Sequence, residues 1–435
     1  MKRLAILTAL LLAAAAPSVN AASSEELRAL ISKGEAAAAY ALGKKHPEQL
    51  GRPAFDFFFG IAAIDSGHAG EGVLALERYV SHFPGSQQAR LELARGYFVL
   101  GENQRAREEF SGVLKTNPPA EVVANAERYL DAIRARESTY RTTAGAFIEI
   151  GFGYDTNINS GVSNSNINLP IFGPVSVNDA GVRIDRRFLQ ATAGANLSVP
   201  LAPGIALLGS VSGDIKSHEA NREFDQTNTG VSGGLRIIDE KNVYHLTAGY
   251  SSLGVDYRNF REIAALGAEI SRQLDELQSI SASVQYATLT HAGGNTVRDS
   301  VLKGGGLGYR LALIGAWRPA LTFNGNYSME DNKRGRDDLA RDIYALRSGI
   351  ALSPAPRWAL STGIGVQFSH YDAADALLQS TRRDHYYGID FGASYAVQRN
   401  LSVRGEVTAS KNHSNVELYK FRRDVAAIKI RYETK

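Results

Sequence analysis

The hydrophobic pattern of this 435-residue chain changes period near residue 140. Before that point, apolar residues recur at the spacing of amphipathic helices. From Gly145 onward, apolar and polar residues alternate in short segments that turn-forming residues separate, which is the pattern of β-strands. The sequence therefore predicts an α-helical domain over residues 23–138 and a β domain over residues 145–435.

The helical segment repeats itself at an offset of 34 residues. Gly67 matches Gly101 and Pro84 matches Pro118, so each unit is expected to contain a helix, a glycine turn, a second helix and a proline stop. A final capping helix is predicted over residues 121–136. The small and aromatic positions resemble those of the tetratricopeptide repeat, namely Ala94, Tyr97, Ala106 and Phe110.

Stacked repeats of this kind form a concave groove that usually binds a peptide or protein segment. We therefore expect the helical domain to be a short tetratricopeptide-type solenoid that holds a partner. The alternative interpretation is a spacer or a support for a plug.

Alternation in the second half predicts strands with one apolar and one polar face. In the segment 401–409 the odd positions are apolar or small and the even positions are polar. The segment 279–286 also alternates, with its even positions apolar or small and its odd positions polar. One face suits lipid and the other suits water. A soluble barrel is the less favoured interpretation, because about 290 residues of this pattern would enclose a large hollow rather than a packed core.

The spacing of turns predicts how many strands there are and how they are connected. Six short turns alternate with longer polar segments, and each short turn joins a pair of strands. One further strand at each end brings the total to 14. An antiparallel transmembrane β-barrel of 14 strands is therefore expected, with short turns on one side and long loops on the other. An even number of strands places both ends on the periplasmic side of an outer membrane, together with the helical domain.

The N terminus carries the features of an export signal. Lys2 and Arg3 precede an apolar run over residues 4–16, and small residues lead to Ala21, so residues 1–21 are predicted to be a cleaved signal peptide. No later segment is apolar for long enough to form a transmembrane helix, so a membrane-spanning form of this chain must be a barrel. The net charge of +3 does not suggest nucleic acid as a partner.

The sequence offers no local catalytic or metal-binding motif. The chain has no cysteine, and its nine histidines show no metal-ligand spacing. We therefore predict no catalytic, cofactor-binding or metal-binding residues and no enzyme activity. Four arginines are candidates for the barrel interior, where they would line an ion or client path or would simply be solvated wall charges: Arg186, Arg187, Arg310 and Arg404.

A motif that opens the predicted barrel region, Gly151-Phe152-Gly153-Tyr154-Asp155-Thr156-Asn157-Ile158-Asn159, follows the repeats. With this architecture, the whole mature chain resembles the Slam family, the surface lipoprotein assembly modulators. The family signature falls on Asp155, Thr156, Asn157 and Asn159. The resemblance assigns these residues no role, and polar residues there are expected to cap the strand at the membrane edge.

The resemblance implies an outer-membrane translocator that moves client proteins or lipoproteins from the periplasm to the cell surface. The repeats would bind the client, and the barrel would form or assist the path, with the barrel-insertion machinery as a further candidate partner. Two alternatives stay open: a polysaccharide exporter, and a general porin with an accessory periplasmic domain.

Overall fold

The computed structural model describes residues 19–137 and 140–434 of the chain. The first 18 residues of the predicted signal peptide lie outside this range. The chain divides after Arg136 into two compact units, one helical and one built of β-strands.

The helical unit contains seven α-helices within the described residues. From α1 to α6, each helix packs against the next helix along the chain. Their bounds are α1 Val19–Ser32, α2 Ala36–Lys44, α3 Pro53–Asp65, α4 Ala69–His82, α5 Gln87–Leu100, α6 Asn103–Leu114 and α7 Ala120–Glu137.

Local sequence signals explain where these helices begin and end. The two glycines matched by the 34-residue offset, Gly67 and Gly101, adopt left-handed backbone conformations with φ of 89° and 80°. They follow α3 and α5, and glycine takes this conformation at low steric cost. The Ser86 side chain accepts a hydrogen bond from the Ala89 backbone N–H and caps α5.

Buried apolar side chains on successive helices form two core clusters. One joins α3 to α7 and includes Leu76, Leu93 and Phe110. The other joins α1 to α4 and includes Leu27 and Phe55. Burial of these apolar side chains stabilises the short helices, which would be marginal in isolation.

The second unit is a closed antiparallel barrel of 14 strands, in which the first strand pairs with the last. Two further short strands form a hairpin in the first long connection. The bounds are β1 Thr143–Asp155, β2 Asn166–Leu169, β3 Gly173–Ser176, β4 Arg186–Ala202, β5 Ile205–His218, β6 Gln226–Asp239, β7 Asn242–Val255, β8 Arg258–Gln273, β9 Gln278–His291, β10 Ser300–Ala312, β11 Ala320–Asn332, β12 Arg341–Leu352, β13 Trp358–Ala374, β14 Thr381–Gln398, β15 Leu401–Ser414 and β16 Phe421–Glu433.

Alternation along each strand separates an inner from an outer face. On β1, Ile148, Ile150 and Phe152 are more than half exposed, whereas Glu149 and Asp155 between and beyond them are buried. Side chains crowd on the concave side of a closed barrel, so the buried row faces inward and the apolar row faces outward. The strand register carries this assignment to every neighbouring strand.

The architecture confirms the predicted 14-stranded barrel preceded by a helical region. The six predicted short turns lie at one end of the barrel, which we call the short-turn rim. The opposite end, the long-connection rim, carries the segment 156–185 and six further connections, of which the one at 256–257 is short. No helix among the described residues is long and apolar enough to cross a membrane.

The sequence did not predict the β2–β3 hairpin. It lies in the segment 157–183, which was expected to be only a polar loop. Its four-residue strands are too short to show a period of two above the surrounding polar residues.

The packing of α4 predicts a sharp difference between two leucines. Replacing the fully buried Leu76 with alanine should lower the free energy of unfolding of the helical unit by about 2–5 kcal/mol, because it leaves a cavity. Leu74→Ala is the matched control, since Leu74 is 58% exposed in the same helix and should have a small effect. Urea unfolding of the full-length protein, followed by helical circular dichroism, measures both; equal losses would contradict this packing.

Candidate functional site: the barrel interior

The barrel interior is divided into a sparsely charged half and a half with dense ionic networks. Over the middle of β6 to β10, the inward residues are mostly glycine, serine, threonine and glutamine. These short side chains leave the lumen wide and present hydroxyl, amide and backbone groups to it. The uncharged inward residues are Gly230, Ser232, Gly234, Thr247, Gly249, Ser251, Ala265, Gly267, Ser281, Ser283, Gln285, Gly304, Gly306 and Gly308. Glu269, which pairs with Ser283, is a charged residue among them.

The glycines of β10 have a steric role in this wall. A Cβ at Gly304 would clash with the Ser328 side chain, and a Cβ at Gly306 would clash with Asn326. The neighbouring polar side chains of β11 lie over these glycines. The run of glycines at 304–306 therefore belongs to a strand of the barrel wall.

The opposite half of the wall carries an ionic network where β1 closes on β16. Glu149 of β1 accepts a hydrogen bond of 2.9 Å from Arg404 of β15, two strands away. Lys429 of β16 lies 3.7 Å from Glu149 and 2.8 Å from Glu406. Arg431 stacks on the Phe147 ring, with the guanidinium carbon 3.8 Å from the ring centroid. These inward contacts link three strands across the closing seam.

A second ionic cluster lies nearer the long-connection rim. The Asp155 carboxylate is fully buried and accepts hydrogen bonds from Lys216 at 2.8 Å and from Arg423 at 2.6 Å. Lys216 also lies 4.0 Å from the centroid of the Phe188 ring. One carboxylate thus joins β1, β5 and β16, and a buried carboxylate depends on such partners to stay charged.

The rest of the sequence motif ties the first long connection to the barrel. The Thr156 hydroxyl accepts a hydrogen bond from the Asp424 backbone N–H at 2.8 Å. The Asn157 amide donates to the carbonyls of Gly161 and Arg422 at 2.9 and 3.0 Å. The Asn159 amide donates to the carbonyls of Ala180 and Val182. The structure thus places all four motif residues at the end of β1, where they close strand ends and order segment 156–185.

Alternating arginine and tyrosine side chains line the long-connection rim on the charged side. Arg341 donates hydrogen bonds to Glu330 at 2.8 Å and to the Tyr371 hydroxyl at 3.1 Å. The Arg382 guanidinium lies 4.7 Å from the centroid of Tyr371 and 3.4 Å from that of Tyr419. Because Tyr419 belongs to the β15–β16 connection, this stack holds that connection against the wall.

The four arginines singled out from the sequence take different positions. Arg186, Arg310 and Arg404 face inward, and Arg404 joins the seam network. The expectation that Arg187 also faces the lumen is wrong: it pairs with outward-facing Tyr154 and lies on the outer face. Adjacent strand residues point to opposite faces, so Arg186 and Arg187 cannot both face the lumen.

The helical unit contains a polar cluster of its own. Glu77 of α4 accepts hydrogen bonds from the Tyr97 hydroxyl and, at 2.9 Å, from Arg105. Burial and the hydrogen bond to Glu77 raise the pKa of Tyr97 well above its ordinary value. The cluster joins α4, α5 and α6. Within the described part of the chain, no group of histidine, aspartate and glutamate side chains is arranged to hold a metal ion.

Comparisons with known proteins find similarity among solved structures only. No family model and no curated protein matches the chain. Among solved structures, the chain is similar to the outer membrane channel DcaP of Acinetobacter baumannii, with 12% identity over 68% of this chain and 98% of that chain and a TM-score of 0.39. It is also similar to OmpT of Vibrio cholerae, with 12% identity over 67% of this chain and 98% of that chain and a TM-score of 0.39.

An anion-selective porin from Comamonas acidovorans is similar at 10% identity over 67% of this chain and 99% of that chain, with a TM-score of 0.36.

The Asp155 cluster predicts a specific loss of stability. Asp155→Asn removes the charge that balances Lys216 and Arg423 and should destabilise the barrel by about 3–5 kcal/mol. Asp331→Asn is the matched control, because Asp331 pairs with Lys303 at 3.0 Å but is half exposed and should matter little. Heat-dependent electrophoretic mobility reports barrel unfolding; unchanged melting of the Asp155 variant would contradict this role.

Proposed function

We propose that this protein is an outer-membrane translocator, in which the helical unit holds a client polypeptide and the barrel interior carries it to the cell surface. The observation that supports this most directly is the hydrophilic, sparsely charged half of the inner wall, from β6 to β10. Hydroxyl and amide groups hydrogen-bond to a passing peptide backbone without selecting its side chains.

The outer face supports the proposed membrane position. Large apolar side chains on it are exposed, including Leu266, Val284 and Leu307 on neighbouring strands at 60–71%. In water this surface would favour aggregation, whereas in a bilayer it is matched to the acyl chains. Closure of the wall satisfies the backbone hydrogen bonds that lipid cannot satisfy.

The size of the barrel limits what passes through it. Fourteen strands about 4.8 Å apart and tilted by about 40° enclose a backbone ring roughly 28 Å across. A folded domain of 100 residues has a radius of gyration of about 13 Å and would not clear the inward side chains. The client is therefore proposed to cross as an extended chain.

The helical unit supplies surface for such a client. Leu74, Val99 and Leu100 lie on its surface at 43–58% exposure. Exposed apolar side chains beside a helical core suit an unfolded segment that carries apolar residues of its own. The proposal places this unit in the periplasm, because both ends of the barrel lie at the short-turn rim.

Deletion of the gene tests the proposed class of cargo. Surface proteins and secreted polysaccharide are measured in the deletion strain and in a strain complemented with the full chain. Loss of a defined surface or secreted protein, restored by the complementing chain, supports protein translocation. Loss of polysaccharide alone would contradict it and would favour the exporter alternative.

A photo-crosslinking pair tests the path inside the barrel. A benzoylphenylalanine at inward-facing Ser283 should form adducts with a client protein during export. The same probe at the next residue, Val284, is the matched control, because Val284 is 63% exposed on the outer face and should reach only lipid. Protein adducts from Val284 but not from Ser283 would contradict a path through the interior.

A further inference from the structure

The outer face of the barrel carries an apolar groove that crosses β12 to β16, β1 and β4. Its volume is about 1100 Å³. One end lies at Leu352, the last residue of β12, beside the short-turn rim. The other end lies at Arg187, near the start of β4 and the long-connection rim. The groove therefore runs obliquely from one rim of the barrel toward the other.

Small outward residues create this groove between large ones. Gly405 of β15 lies directly between Ala393 of β14 and Ile428 of β16. A Cβ built at Gly405 would meet no atom within 4 Å, so the space above it is open. Phe391 and Phe152 stand beside the small positions, and both are more than half exposed. The groove offers a continuous apolar channel to a long, flexible hydrocarbon.

Arg187 places one positive charge at the end of this groove. Its side chain is exposed on the outer face and forms no ion pair or hydrogen bond with any residue that the structure describes. The nearby Asp185 carboxylate instead accepts a hydrogen bond from the Tyr154 hydroxyl. An unpaired guanidinium at the rim of an apolar groove complements a phosphate attached to an acyl chain.

We propose that this groove seats an acyl chain of a membrane lipid whose headgroup phosphate is bound by Arg187. The inference rests on the proposed outer-membrane position and is independent of the cargo. The lipid would lie over the β1–β16 seam, with its headgroup at the long-connection rim. A lipid with a net-negative phosphate headgroup fits better than a zwitterionic one such as phosphatidylcholine, because the choline cation of the latter already compensates its phosphate and leaves little charge for Arg187 to neutralise.

Spin-labelled lipids test the proposal with the full-length protein in vesicles. The probes are phosphatidic acid and phosphatidylcholine, each labelled on the acyl chain, and the readout is the motionally restricted fraction. We expect the wild type to prefer phosphatidic acid. Arg187→Gln should lower this preference by about three- to fivefold while phosphatidylcholine binding stays unchanged.

Filling the groove should weaken the binding of both lipids. Gly405→Leu places a side chain in open space and should lower the restricted fraction of each probe. Gly209→Leu is the matched control, since Gly209 also faces outward, also has open space and lies on β5, away from the groove. Arg272→Gln controls for loss of an outward positive charge elsewhere on the barrel.

The outcomes separate the lipid site from the transport proposal. Equal lipid restriction in the wild type, Gly405→Leu and Gly209→Leu would overturn the groove as a lipid site. A phosphatidic acid preference that survives Arg187→Gln would overturn the role of Arg187. Neither readout involves a client, so a protein that fails to export cargo can still pass this test. Failure of the wild type to insert into vesicles would overturn both proposals.

Discussion

The fold of the second unit depends on the pairing of its first strand with its last. If the sheet were open, each of its two edge strands would have backbone N–H and C=O groups without hydrogen-bond partners, which is costly in lipid. Pairing of β1 with β16 removes both edges and brings together residues more than 250 positions apart in the chain. The Glu149 and Asp155 clusters exist only because of this closure, and they lie at two heights on the same seam.

Closure also determines which side chains face the lumen and which lie on the outer face of the barrel. The period of two assigns serines and glycines of β6 to β10 to the lumen and the adjoining leucines and valines to the outside. The lumen thereby gains a hydrophilic path, and the outer face gains both its apolar band and the groove beneath Arg187. The transport proposal therefore draws on the inner face of β6 to β10, and the lipid proposal on the outer face of β12 to β16, β1 and β4.

The sequence allowed the strands to be predicted well because alternation is a local property. The predicted strands 145–155 and 400–411 differ from the observed β1 and β15 by at most three residues at either end. The partners of Asp155 were not predictable in this way, because Lys216 and Arg423 approach it only through the register of three strands. Strand parity allows only one of Arg186 and Arg187 to face the lumen, and the register of β4 with β1 determines that it is Arg186.

The central claim is that a client crosses the interior of a barrel whose wall stays closed. The natural chain contains no cysteine, so the β1–β16 seam can be locked by one engineered disulfide between Ile150→Cys and Ile430→Cys, which are directly opposite on the outer face. Client export is then measured under oxidising and reducing conditions in the intact cell envelope. The account predicts equal export with the seam locked or free. Export that stops on oxidation and returns on reduction would contradict it, because transport would then require the wall to open.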